Sequence, residues 1–169
     1  MMKTQFLRSI RIWLTVVILG LILSGITAFP LQRELHLLVH IATQLNLPLH
    51  APALNAWLVR VNDALTDTDT RYPFLAYGTD WLAFAHLVIA VAFVGPWRDP
   101  FRNQWIITWG LIACASVPLL ALIAGPIRGI PLYWRFIDCS FGLICCLPLL
   151  AIRRLIAQLE ALAPYPRPS

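Results

Sequence analysis

The chain has 169 residues, 59% of them hydrophobic and only 12% charged, and its mean hydropathy is +0.73. Soluble domains carry about twice that charge fraction, and a core this small cannot hide so much apolar surface, so the composition excludes an ordinary soluble domain. The net charge of +5 does not signal a nucleic-acid binder, because the basic residues are not clustered with aromatics in any groove-reading pattern.

The first 28 residues combine a basic start, MMKTQFLRSIR, with an apolar run and SGITA, a layout similar to a signal peptide. The uncharged stretch between Arg11 and Arg33 is long for such a leader and the cleavage site is poor, so the segment reads as a first membrane span over about 9–29. Phe29-Pro30 ends it, and a segment of outer chain follows before the next span. Leu31, Leu35, Leu38, Ile41 and Leu45 recur at helical spacing, with Gln32, Arg33, Glu34 and Gln44 on other faces. LNLPLHAP breaks the pattern. A second run, Leu54, Trp57, Leu58, Val61 and Leu65, then ends in the polar TDTDTRYP. These features predict two short amphipathic helices over 31–67, lying on the outer membrane surface or capping the spans. His36 and His40 stand at i, i+4, a spacing that can chelate a metal, and His50 is a third candidate ligand. Glu34 is the only nearby carboxylate, and a solvated pair of surface histidines is the plainer reading.

The second span, about 76–97, contains GTDWLAFAHLVIAVAFVG and carries Asp80 and His86. Measured from Trp97, Asp80 lies about 25 Å away, at the outer edge of the hydrocarbon, and His86 about 16 Å away, near the midplane. His86 shares a helical face with Thr79, Ala83 and Ala90, about 120° from Asp80. An interhelical hydrogen bond to Ser116 or Thr108 is its expected role, with proton relay or haem ligation as the alternative. The span leaves through GPWRDPFRN, where Asp99 and Pro100 read as the N-cap and first residue of the next helix. That predicts a tight hairpin and a third span over about 101–125. Pro118 and Pro148 predict kinks in the third and fourth spans. The Gly/Pro-rich AGPIRGIPLYWR leads to a fourth span, about 132–154, closed by Arg153-Arg154. LIAQLEALA continues along the inner surface, the membrane domain is taken to cover 1–163, and 164–169 reads as a disordered tail. No internal repeat supports an inverted-repeat transporter.

Cation placement sets the expected orientation. With the N-terminus inside, the inner face holds Lys3, Arg8, Arg11, Arg98, Arg102, Arg153, Arg154 and Arg167 against two acidic residues, Asp99 and Glu160. The outer face holds Arg33, Arg60, Arg71, Arg128 and Arg135 against six acidic residues. Both termini are therefore expected in the cytoplasm, and the protein in the bacterial inner membrane.

The same depth arithmetic puts Asp138 in the outer half of the fourth span, with Arg135 at i−3, close enough to pair with it. Asp80, Arg128, Arg135 and Asp138 fall at one level, within an aromatic belt that includes Tyr77 and Trp134. Two roles follow. One is a structural clasp of ion pairs. The other is a ligand-binding pocket opening to the outer leaflet, where Arg128 or Arg135 holds an anionic head group, a carboxylate or a quinone oxygen. Quinone and haem are the cofactors this second role allows, with His86 as the redox or proton-handling residue.

Cys114, Cys139, Cys145 and Cys146 all fall within the third and fourth spans and lack C-x-x-C spacing, so neither a zinc site nor a disulfide framework is expected. In size, span number and the long first outer segment the chain is similar to the four-helix thiol-oxidising, quinone-reducing proteins of bacterial inner membranes. The outer cysteine pairs that their chemistry needs are missing, and none of their functional residues carries over. Catalytic signatures such as G-x-S-x-G, H-E-x-x-H or a phosphate-binding Gly-rich loop are absent from the sequence. The expectation is an all-α, four-transmembrane-helix bundle with an outer amphipathic cap and a non-enzymatic role. It would be a subunit or partner of a membrane assembly, with itself or another membrane protein, or a binder of a lipid-like ligand. A redox or transport component using Asp80, Arg135, Asp138 and His86 is the alternative.

Overall fold

A computed structural model describes residues 2–162, and the terminal 164–169 segment expected to be disordered lies outside them. Seven α-helices follow one another: α1 Met2–Ala28, α2 Leu31–Gln44, α3 Leu47–His50, α4 Pro52–Arg71, α5 Tyr77–Arg98, α6 Gln104–Ile127 and α7 Leu132–Leu162. A 3-10 turn, Pro73–Ala76, leads into α5, and the described residues contain no strand. Four helical segments, Lys3–Ala28, Pro73–Arg98, Gln104–Ile127 and Leu132–Leu162, are long and apolar enough to cross a membrane. Large apolar side chains stay exposed along all four, among them Leu23, Val91, Leu120 and Leu147, while among the described residues no polar or charged residue is buried. That inversion of the soluble pattern fits an integral membrane protein.

The chain divides into two compact units, one made of residues up to Gly20 together with everything from Ile89 onward, the other of Leu21–Val88. In the first unit, α6 and α7 form an antiparallel hairpin whose spacing is set by glycine. A methyl group at Gly142 of α7 would stand 2.7 Å from the Cys114 carbonyl oxygen and 3.0 Å from Val117 Cβ. One at Gly110 of α6 would meet Phe93 of α5 at 2.9 Å and Leu149 of α7 at 3.0 Å, so three helices converge on a position without a side chain. Below this level the core is Ile107, Leu149, Ile152, Ile156 and Leu159, with Ile10 and Leu14 of α1 also fully covered. The stripe Ile152, Ile156, Leu159 explains why α7 continues to Leu162, well past Arg153-Arg154: its apolar face remains packed at i, i+4, i+7. Gln104 Nε2 at the start of α6 donates to Glu160 Oε1 at 2.6 Å, tying the two ends of the hairpin together.

The α5–α6 turn differs from the expected one. Asp99 does act as a capping carboxylate, since its Oδ1 accepts the backbone N–H groups of Phe101 and Arg102 at 3.1 Å each. It closes a turn rather than α6, which begins only at Gln104. Asn103 completes the turn, its Nδ2 donating to the carbonyls of Gly95 and Asp99. Residues 101–103 are thus loop, because those side chains satisfy the backbone in a non-helical path. At the other end α6 closes in a Schellman motif: Ile130 N–H reaches the Gly125 carbonyl, Gly129 N–H reaches that of Pro126, and Gly129 has φ +69°. The helices continue through Pro96, Pro118, Pro126 and Pro148.

In the second unit the end of α1 leads to α2, α3 and α4, which pack on one another, and then to the start of α5. Here three helices replace the two expected. Asn46, in the left-handed region at φ 54°, ends α2, and LNLPLHAP holds the short α3. The polar TDTDTR does not end α4 early. Thr66 and Thr70 return their hydroxyls to the carbonyls of Asn62 and Thr66, and Arg71 pairs with Asp67 at 2.8 Å, so the helix persists to Arg71. Helix α2 buries Ala42 but leaves Leu31, Leu37, Leu38, Ile41 and Leu45 exposed. Gly25 of α1 is the tight point, since a Cβ there would sit 2.9 Å from the Ala83 carbonyl oxygen of α5.

Gly142→Ala is expected to lower the thermal midpoint in detergent, at a cost of about 1–3 kcal/mol from overpacking against a backbone carbonyl that cannot rotate away. Gly20→Ala, where nothing lies within 4 Å, is expected to be neutral or stabilising by up to about 1 kcal/mol through helix propensity. Circular dichroism melting of the two variants beside the native chain checks the contrast.

Candidate functional site

Asp80 occupies the first turn of α5 and is half-buried. A carboxylate there faces the positive end of the helix dipole and the unsatisfied N–H groups of the first turn. This is a local reason for its presence, independent of any cation on another helix. Tyr77 and Trp81 stack edge to face at 6.0 Å, Trp81 and Phe84 at 6.1 Å, and Tyr77 is exposed. Thr79 turns its hydroxyl back to the Ala76 carbonyl.

His86 Nδ1 lies 2.8 Å from the Leu82 carbonyl oxygen, one turn back on its own helix. A carbonyl only accepts, so Nδ1 carries the proton and Nε2 is the basic nitrogen. Ser116 and Thr108 likewise donate to carbonyls of their own helix, those of Ile112 and Gln104. The cause is general: in an apolar helix the carbonyl one turn back is always within reach, whereas a partner on a neighbouring helix must be placed by packing.

Arg128, Arg135, Asp138 and Trp134 belong to the first unit, around the α6–α7 turn. Arg128 is the exposed C-cap of α6. Arg135 and Trp134 lie in the first turn of α7 and Asp138 in its second, all three half-buried. The Arg135 stem lies directly against Gly125, whose lack of a side chain makes room for its Cγ and Cδ. Its Nε is buried with no hydrogen-bond partner. The expected pairing of Arg135 with Asp138 is not made: the ion pairs among the described residues are Arg71–Asp67 and Arg102–Asp99. Gly125 draws the Arg135 side chain back toward α6, whereas Asp138 lies one turn further along α7.

His36 and His40 are exposed on α2, and His40 Nε2 is 3.0 Å from Gln44 Nε2, in the same i, i+4 register as the histidine pair itself. Among the described residues no group of three or more His, Cys, Asp or Glu side chains is placed to hold a metal. All four cysteines are free thiols.

One concavity of the second unit lies where the end of α1, the start of α2, the end of α4, the 3-10 turn and the start of α5 meet. It is an open groove of about 450 Å³, within the size range of small-ligand sites. Phe29, Leu31, Leu65 and Leu75 give it apolar walls, and Arg33 and Asp69 charge its lining. Arg33 and Asp69 were legible in the sequence only as outer-face charges. The signal that could have found them is the junction itself, an arginine three residues after the Phe29-Pro30 stop of the first span.

Asp80→Asn is expected to cost no more than about 1 kcal/mol, the scale of a carboxylate–dipole interaction. A larger loss of thermal stability, read by the same melting experiment, would show that Asp80 has a partner beyond the helix dipole. Searches against protein-family models, curated proteins and solved structures match none of them to this chain.

Proposed function

We propose that this chain is a small, non-enzymatic integral membrane protein that holds a lipid-like amphiphile at the outer leaflet, beneath the cap formed by α2, α3 and α4. The groove lined by Phe29, Leu31, Leu65, Leu75, Arg33 and Asp69 is the observation that carries this reading. An apolar trough with a guanidinium at its rim matches an acyl or isoprenoid chain ending in an anionic or strongly polar head. The exposed leucines of α2 beside the groove suit a helix resting at the headgroup boundary. The cation asymmetry supports a reading with both termini in the cytoplasm and the cap outside, and a bacterial inner membrane is the setting proposed for it. A subunit role in a larger assembly, with another membrane protein or a second copy, is compatible with this ligand.

A second reading rests on the buried, unpartnered Nε of Arg135. A guanidinium donor left bare in an apolar span is a seat for an anionic head group or a quinone oxygen, with Arg128, Asp138 and Trp134 as the further candidates in the same unit. This is the redox or transport alternative, and haem or quinone would be its cofactor.

Lipid extraction from gently purified protein separates the two. The groove reading expects one amphiphile enriched over bulk membrane lipid and released by Arg33→Ala but not by Arg135→Ala. The reverse dependence, or a Soret band in the visible spectrum, moves the function to the α6–α7 end. No enrichment in either case overturns ligand binding. For topology, Leu49→Cys in the exposed α3 is expected to react with a membrane-impermeant maleimide in spheroplasts, and a C-terminal green-fluorescent fusion is expected to fluoresce.

A further inference from the structure

At the opposite end of α1, within the first unit, a second groove of about 550 Å³ runs between α1 and the end of α5. Its wall from α1 is a single helical face. Arg8, Arg11, Ile12, Thr15 and Val16 follow at i, i+3, i+4, i+7 and i+8, and Trp97 of α5 supplies the floor. Thr4 and Leu7 extend the lining on the chain-terminal side of the two arginines, and apolar, exposed Ile12 and Val16 lie on the span-interior side, with about 12 Å from Arg8 to Val16.

The indole is held in place. Trp97 Nε1 donates to Thr15 Oγ1 at 3.2 Å, and that hydroxyl in turn donates to the Arg11 carbonyl at 2.8 Å. Arg11 then lies over the ring, its guanidinium carbon 5.4 Å from the centroid. A cation held over a ring keeps N–H donors available to an anion. Among the described residues neither Arg8 nor Arg11 is in an ion pair, so two adjacent cations on a rigid platform have no protein anion.

We infer that this groove is a binding site for an anionic phospholipid of the inner leaflet. The phosphate is held by Arg8 and Arg11, and the upper acyl chain lies along Ile12, Val16 and the edge of Trp97. Charge complementarity selects the head group, since both cations line the groove and neither is in an ion pair among the described residues. Exposed Ile12 and Val16 on the span-interior side of the arginines offer an acyl chain a surface that a soluble phosphate would not use. This site is separate from the cap groove and does not depend on it.

The test uses the full-length protein in detergent, equilibrated with equimolar phosphatidylglycerol and phosphatidylcholine of identical acyl chains and examined by native mass spectrometry. The native protein is expected to retain phosphatidylglycerol about tenfold over phosphatidylcholine, the order set by two interfacial cations. Arg8→Gln/Arg11→Gln is expected to bring the ratio to about one. Arg8→Gln alone leaves the Arg11–Trp97 stack in place and is expected to shift the ratio in the same direction, which keeps the test valid if the double variant is poorly folded. Arg153→Gln/Arg154→Gln, cations outside the groove, is expected to keep the preference. Equal retention by the native protein, or a preference that survives both Arg8 variants, overturns the site. So does equal loss in the Arg153/Arg154 variant, or displacement of the lipid by free glycerol phosphate.

Discussion

The structure depends on close helix approach at positions that lack a side chain. Where the span-length helices are apolar around most of their circumference, burial alone does not choose neighbours, because lipid or another helix satisfies such a surface equally well. What distinguishes one pairing from another is how near two backbones can come. Gly142 sets its Cα against the Cys114 carbonyl, and Gly110 accepts Phe93 and Leu149 from two other helices. Gly125 receives the stem of Arg135, and Gly25 meets the Ala83 carbonyl. Dispersion contacts made this way are individually small and collectively large. They fix the rotation of each helix, and the rotation decides which polar groups can meet.

Polar side chains follow a second rule, which is to stay on their own helix. Thr15, Thr66, Thr70, Thr108, Ser116 and His86 all reach a carbonyl one turn back. Such bonds cost no interhelical alignment and remain intact if a helix turns. The exceptions therefore mark the places where alignment has been set. Two of them, among the described residues, are the Gln104–Glu160 bond at the end of the α6–α7 hairpin and the Trp97–Thr15 bond between α5 and α1. Both lie at the end of the first unit that carries Arg8, Arg11, Arg102 and Arg153, where residues are organised to present charge rather than to hide it.

The two grooves share a design. Each combines apolar lining residues with arginine, Arg33 in one and Arg8 with Arg11 in the other. Arg135 is a different case, half-buried with its stem packed on Gly125 and its Nε without a hydrogen-bond partner.

Composition and spacing determined that the chain is helical and that four segments are long and apolar enough to span a membrane, because those properties depend only on local hydropathy and on 1.5 Å of rise per residue. They also determined the turn chemistry in part: Asp99 caps, and a glycine follows the α6 C-cap, since capping depends on residues within a few positions of each other. Where α6 begins was not legible, because Asn103 had to close the turn through Gly95, eight residues earlier. Nor was the persistence of α4 through TDTDTR, a sequence that taken alone favours a loop until Arg71 and Asp67 pair along a formed helix. The depth of Arg135 and Asp138 could be counted along the helix. Their failure to pair could not, because it follows from a glycine ten residues away on the preceding helix. Sequence periodicity gives the level of a residue, while helix rotation and close approach, which only tertiary packing decides, give its partners.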